Sequence, residues 1–63
     1  MIEPDKLREY RIKACGTQSF AACRVGVTET TWQRWETGTH RPHPKYWHKI
    51  TQVLNCEIKD LRK

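Results

Sequence analysis

Large apolar residues in this chain return at three- and four-residue intervals, and no segment alternates apolar and polar in the two-residue period of a strand. Leu7, Tyr10, Arg11 and Ala14 share helical spacing, as do Trp32 and Trp35, and again Trp47, Ile50 and Leu54. Between these runs stand residues that start and stop helices. Pro4 suits a first helical position, where no backbone N–H is needed, and the first helix should stop near Cys15 and Gly16. Thr17 is placed to cap a second helix from Gln18 to about Arg24, its hydroxyl accepting an otherwise unpaired backbone N–H. Gly26 suits the tight turn that follows, Thr28 caps a third helix, and Gly38 ends it. THRPHP reads as a loop, Pro44 opens a fourth helix reaching about Leu54, Asn55 ends it, and EIKDL makes a short fifth. The pattern predicts an all-α fold of five helices, one domain over residues 1–63.

The third segment, VGVTETTWQRWETG, holds two of the largest apolar side chains among small polar ones. Placed at about 100° per residue, Trp32, Trp35, Thr31 and Glu36 fall on one arc. Glu29, Thr30, Gln33 and Arg34 fall on the other. The indole arc must be buried, and two indoles are a large share of so small a core. The opposite arc donates and accepts hydrogen bonds as base edges do, with Arg34 suited to a bidentate grip on guanine. Alone, that arc fits an ordinary amphipathic helix with a solvated face better than a base-reading one. Spacing changes the balance. Ala22 lies four residues before Gly26, Val27 follows it, and Trp32 and Trp35 lie six and nine after it. Two helices crossing steeply through a short turn need a small residue at their close approach, a corner glycine and large anchors on the second helix. These are the requirements of a helix-turn-helix over about residues 18–37, whose second helix lies in the major groove.

In LREYRIK, TQSFAA, VGVTETTWQRWETG, the later Pro42 and LNCEIKDL, the chain resembles the Cro/Xre-type repressor helix-turn-helix domains of phages and bacteria. The likeness runs from Leu7 to Leu61, and the WE-x-G element after the third helix is its most specific piece. It implies a compact five-helix, repressor-like domain in which helices 2 and 3 read DNA. Thr28, Glu29, Thr30, Gln33 and Arg34 match positions that face bases or the adjoining backbone. Gln18, with Ser19 beside it, would reach a phosphate while bracing the recognition helix, and Thr37, Thr39 and Arg41 match the loop that touches the opposite strand. Arg11 and Glu36 match a pair that ties the first helix to the end of the third, a structural role. The chain departs from the family where Cys15 and Gly16 replace glycine then leucine, removing a core anchor. Ala21 stands where leucine is frequent, so Phe20 or the tryptophans are expected to restore the bulk, with the second helix slightly rotated. Glu29 is unusual so near phosphate. It repels the backbone but accepts from cytosine's amino group, favouring selectivity over affinity.

Twelve Lys+Arg against seven Asp+Glu give a net charge of +5 and a pI near 9.5, which favours an anionic partner. Sixty-three residues bury only about 60% of their unfolded surface, leaving hardly room for a catalytic cleft. No Ser/His/Asp set, paired carboxylates or phosphate-cradling glycine loop is present, so no enzyme is expected. Neither a cofactor nor a small-molecule ligand is expected either. Cys15, Cys23 and Cys56 are odd in number and are read as free thiols, Cys23 facing outward and Cys56 as a small core residue. His40, His43 and His48 lack the spaced His/Cys set of a zinc site. His40 and Arg41 read as surface or phosphate contacts, and Lys45 sits where free N–H groups at the start of the fourth helix would favour a phosphate. Trp47 belongs to the core stripe, whereas Tyr46 at its edge is a candidate for exposure and a partner subunit. The start MIEPDKLREY has no signal-peptide stretch and no run is long enough to span a membrane, so a cytoplasmic place in a bacterial cell or phage-infected host is expected. The chain's end at Lys63 is expected to leave no added toxin-binding or effector domain.

The expected function is a sequence-specific regulator of double-stranded DNA, a small Cro-like repressor of phage or mobile-element type. Such domains pair on half-sites one helical turn apart, so a homodimer on a two-fold symmetric operator is expected, with the region from Asn55 to Leu61 as a candidate dimer surface. The rival is a protein-interaction module on the same scaffold, antitoxin-like or anti-repressor, which would show no sequence preference.

Overall fold

The computed structural model describes residues 2–62. Among them are five α-helices and one 3-10 turn, with no strand beyond an isolated bridge between Ile2 and Arg62. The elements are α1 (Pro4–Ala14), α2 (Gln18–Val25), α3 (Glu29–Thr37), the 3-10 turn Pro44–Tyr46, α4 (Trp47–Leu54) and α5 (Ile58–Leu61). The all-α expectation holds, with boundaries close to those the punctuation predicts. One opening differs: Pro44 starts a 3-10 turn that runs into α4, not an α-helical first turn.

Local chemistry explains the breaks. Thr17 Oγ1 accepts the Phe20 N–H at 3.1 Å, and Thr28 Oγ1 accepts the Thr31 N–H at 3.1 Å. Gly26 turns at φ 94° so that its N–H and that of Val27 return to the Ala22 carbonyl, at 2.8 and 3.0 Å. A side chain at that φ would crowd the backbone, and glycine avoids the penalty. Asn55 ends α4 at φ 54°, the left-handed conformation that asparagine tolerates best after glycine.

Helix α3 packs chiefly on α2 and α1, while α4 lies against α2, α1 and α5. The core between them is Ile2, Leu7, Ala21, Ala22, Val25, Trp32, Trp35, Ile50, Leu54 and Leu61. Trp32 is 0% exposed and Trp35 4%, so the indole arc of α3 faces inward. Their rings stand 5.5 Å apart at 53°, and Tyr46 adds a third ring 5.6 Å from Trp35. Two alanines, Ala21 and Ala22, are the residues of α2 buried in the same cluster as these rings together with Val25, and small side chains suit the close packing of α2 on α3.

Several expectations change in three dimensions. Ala14 is exposed, and Cys15 packs against the core in its place, its Sγ 3.9 Å from the Val53 carbonyl oxygen. Phe20 is 49% exposed and lies under Arg24, so it does not restore the bulk that Ala21 lacks. Tyr46 is half-buried on Trp35, which withdraws it from the exposed role expected of it. Cys56 is half-buried beside the core, while Cys23 is exposed. Ile2, unassigned by periodicity, is buried, and the adjoining Glu3 N–H donates to the Leu61 carbonyl at 2.8 Å, clasping the two ends of the chain.

Trp35 sits between two other aromatic rings, so truncating it leaves a cavity that neighbours cannot fill. Trp35→Ala should cost ~3–5 kcal/mol, comparable to the ~3–5 kcal/mol a core of this size supplies. Circular dichroism should show no cooperative melting above room temperature; a wild-type melting curve would mean that the ring is not in the core.

Candidate nucleic-acid interface

Burying Trp32 and Trp35 turns Glu29, Thr30, Gln33 and Arg34 outward, and all four are exposed along one side of α3. Thr28 is exposed at the head of the helix, but its hydroxyl serves the cap and lies 2.9 Å from that of Thr31. A hydroxyl has three hydrogen-bonding sites, so Thr28 keeps one for a neighbour beside its two contacts with Thr31. Glu29 stands in the first turn, where the helix dipole favours a carboxylate. The outward arc therefore combines one anion, one cation, an amide and a hydroxyl on a rigid support.

The rotation of α3 is set by Glu36. Its carboxylate receives both Arg11 Nε at 2.9 Å and Arg11 Nη2 at 3.0 Å, a bidentate pair. Gln18 Nε2 donates to it at 3.2 Å, and the Trp32 indole N–H donates to its Oε2. Arg11 also donates from Nη1 to the Gly16 carbonyl at 2.5 Å. The Glu36 side chain is only 4% exposed and that of Arg11 10%. Burial pushes the Glu36 carboxyl up, but hydrogen bonds from Arg11, Trp32 and Gln18 outweigh it and hold the group below its ordinary range. The same bond to Glu36 raises Arg11, against the opposing effect of burial. The resemblance pointed to Arg11 with Glu36, and the bracing by Gln18 is present as a contact; the indole donor had no signal in the sequence beyond its four-residue spacing from Glu36.

The backbone-contact candidates spread from both ends of this unit. Ser19 is exposed beside half-buried Gln18 at the start of α2. After α3, Thr37 Oγ1 donates to the Arg34 carbonyl at 3.2 Å and lies 3.0 Å from the Thr39 hydroxyl. The His40 N–H donates to the same Arg34 carbonyl at 3.2 Å, and the side chains of Thr39, His40 and Arg41 are exposed. Lys45 corrects one expectation. Its N–H is not free, because His43 Nδ1 accepts it at 3.1 Å, so only its exposed ammonium, 5.2 Å above the Tyr46 ring, is available to an anion.

Burial pushes the thiols of Cys15 and Cys56 up, which disfavours the nucleophilic thiolate. Among the described residues no three His, Cys, Asp or Glu side chains gather as a metal site needs. No helix among them is long and apolar enough to cross a membrane.

The helix-turn-helix domain family matches residues 5–63, nearly the whole chain. This chain belongs to that family. Two relatives from Archaeoglobus fulgidus, each named an uncharacterised HTH-type transcriptional regulator, are 38% identical over 56 residues, covering 89% of this chain and 79% or 80% of theirs. A type II methyltransferase from Moraxella sp. is 33% identical over 57 residues, covering 90% of this chain but 14% of the enzyme. That share is a helix-turn-helix-sized portion, too small to carry the enzyme's activity across. No solved structure matches the chain. The chain is thus a helix-turn-helix domain of the kind found in DNA-binding transcriptional regulators.

Because Glu36 is held below its ordinary range in the folded state, its stabilisation is present above the unfolded glutamate value of about 4.3 and is lost as pH falls through the folded value. Urea midpoints should therefore stay level near neutrality and decline below about pH 4. Glu36→Gln leaves Arg11 charged and half-paired in a nearly closed site, which should cost ~3–5 kcal/mol. A Glu36→Gln chain that melts like wild type would remove the carboxylate from its central place.

Proposed function

We infer that this chain reads double-stranded DNA by sequence, laying α3 in the major groove as a small Cro-like repressor of phage or mobile-element type. The observation that carries this reading is the outward arc of Glu29, Thr30, Gln33 and Arg34 on a helix whose other side is locked by two indoles and Glu36. Side chains meant only for solvation need no such fixed rotation. Arg34 would engage guanine, Gln33 adenine, and Glu29 the amino group of cytosine, while Gln18, Ser19, Thr37, Thr39, His40, Arg41 and Lys45 meet phosphates. The net charge of +5 supports salt-dependent affinity. A domain of 24 × 23 × 20 Å fits a single half-site, so two copies would span half-sites ~34 Å apart on a two-fold symmetric operator. The protein would act in the cytoplasm, as a homodimer at least on DNA.

The second reading, a protein-interaction module, draws on Glu29 and on half-exposed Phe20. Selection from a random duplex library at physiological salt separates the two. Enrichment of a symmetric site supports the repressor; retention without preference would leave only electrostatic binding and favour the interaction module.

On the selected site, Arg34→Ala should lose roughly 1–3 kcal/mol of binding and relax preference at one base pair. An equal loss on every sequence would move Arg34 to the backbone. Glu29→Gln should bind all duplexes more tightly while discriminating less among operator variants, because a carboxylate repelled by phosphate is replaced by a neutral amide; unchanged discrimination would count against a base-reading Glu29.

A further inference from the structure

The loop of residues 38–43 joins α3 to the 3-10 turn and presents Thr39, His40 and Arg41 to solvent. Its first half is tied to the last turn of α3 through the Arg34 carbonyl, which accepts from both Thr37 Oγ1 and the His40 N–H. Its second half is held otherwise. Pro42 is buried, and its carbonyl accepts the indole N–H of Trp47 at 3.2 Å. Beyond it, His43 caps the 3-10 turn and Tyr46 lies on Trp35. Arg41 is thus an exposed side chain on backbone pinned one residue before it and one after it.

Packing alone would ask of position 47 only a large apolar ring. Trp47 is half-buried against the core, and its one polar atom is spent on the loop rather than on α4. A loop that is free to move must be ordered when a phosphate binds, which weakens the contact; a loop ordered beforehand escapes that loss. Building on the DNA-binding reading above, we propose that Trp47 is a positioning residue for the phosphate contact: its indole N–H, bonded to the Pro42 carbonyl, holds the loop so that Arg41 meets the duplex backbone.

The test is the salt dependence of duplex binding by the full chain, wild type against Trp47→Phe, Arg41→Ala and the double variant, at a temperature where circular dichroism shows all four folded. Phenylalanine keeps an aromatic ring and removes the donor. Trp47→Phe should bind roughly two- to tenfold more weakly, the worth of about one hydrogen bond. The slope of log affinity against log salt should shrink by about 0.9 for each domain bound, one phosphate contact. Preference among operator variants should not change, since α3 is untouched. In the Arg41→Ala background the same substitution should add no further loss of slope. Should Trp47→Phe fail to fold, benzothienylalanine placed at 47 by chemical synthesis removes the N–H with almost no change of shape. A wild-type slope in the donor-less chain, or losses that simply add to those of Arg41→Ala, would overturn the proposal. Wild-type protein with no salt-dependent duplex binding would instead overturn the DNA-binding reading itself.

Discussion

One buried carboxylate holds this domain in register. Glu36 near the end of α3 receives Arg11 from α1, Gln18 from α2 and Trp32 from its own helix. Taking a charged pair out of water costs several kcal/mol, and an apolar cluster of equal volume would often serve stability as well. What an apolar cluster lacks is direction. A bidentate guanidinium accepts one geometry, and each further donor narrows it. With no buried side-chain polar atom unpartnered among the described residues, the network is complete, and a complete network specifies a unique arrangement. Here the arrangement specified is the rotation of α3, and with it the orientation of Glu29, Gln33 and Arg34.

The core conforms to that constraint. Two indoles on one short helix demand space that neighbouring helices must yield, and α2 yields it by presenting Ala21 and Ala22. Leu7, Ile50, Leu54 and Leu61 close the remaining sides. Phe20 is left outside because an aromatic ring on the inward side of α2 would compete for volume already filled by Trp32 and Trp35. Its ring lies 5.6 Å from the Arg24 guanidinium, which covers part of its face.

What the sequence made legible was local. Thr17, Gly26, Thr28 and Asn55 act on backbone groups within four residues of themselves, so their effect is present in the chain as a spacing. The two arcs of α3 follow from helical period alone. Contacts between distant segments left weaker traces. Ile2 belongs to no periodic run, yet it is buried and bridges to Arg62, a pairing no period reports. Burial at the edge of a stripe depends on the path of the next element: the 3-10 turn carries Tyr46, a candidate for exposure, onto Trp35, and at the end of α1 it is Cys15 rather than Ala14 that packs against the core. Lys45 lost its free N–H to a histidine cap two residues earlier, which a proline-first helix gave no reason to expect. The outward residues of α3 follow from helical period, whereas any pairing with bases would be set by docking between two molecules, which no spacing within one chain encodes.

Gln18 shows how closely orientation and contact are joined in so small a fold. It opens α2, where a helix start meets a phosphate most readily, and one of its amide hydrogens is already committed to Glu36. An amide nitrogen carries a second hydrogen, which in the proposed reading would be the one to meet a phosphate. In the proposed complex, a phosphate held there would be bonded to the same amide that braces the carboxylate fixing α3. A shift of the backbone contact would then tilt the reading helix, and a tilt of the helix would loosen the contact. If the proposed complex forms, such a linkage would make a duplex of the wrong groove shape costly even where its bases match, because Gln18 and α3 share the Glu36 carboxylate.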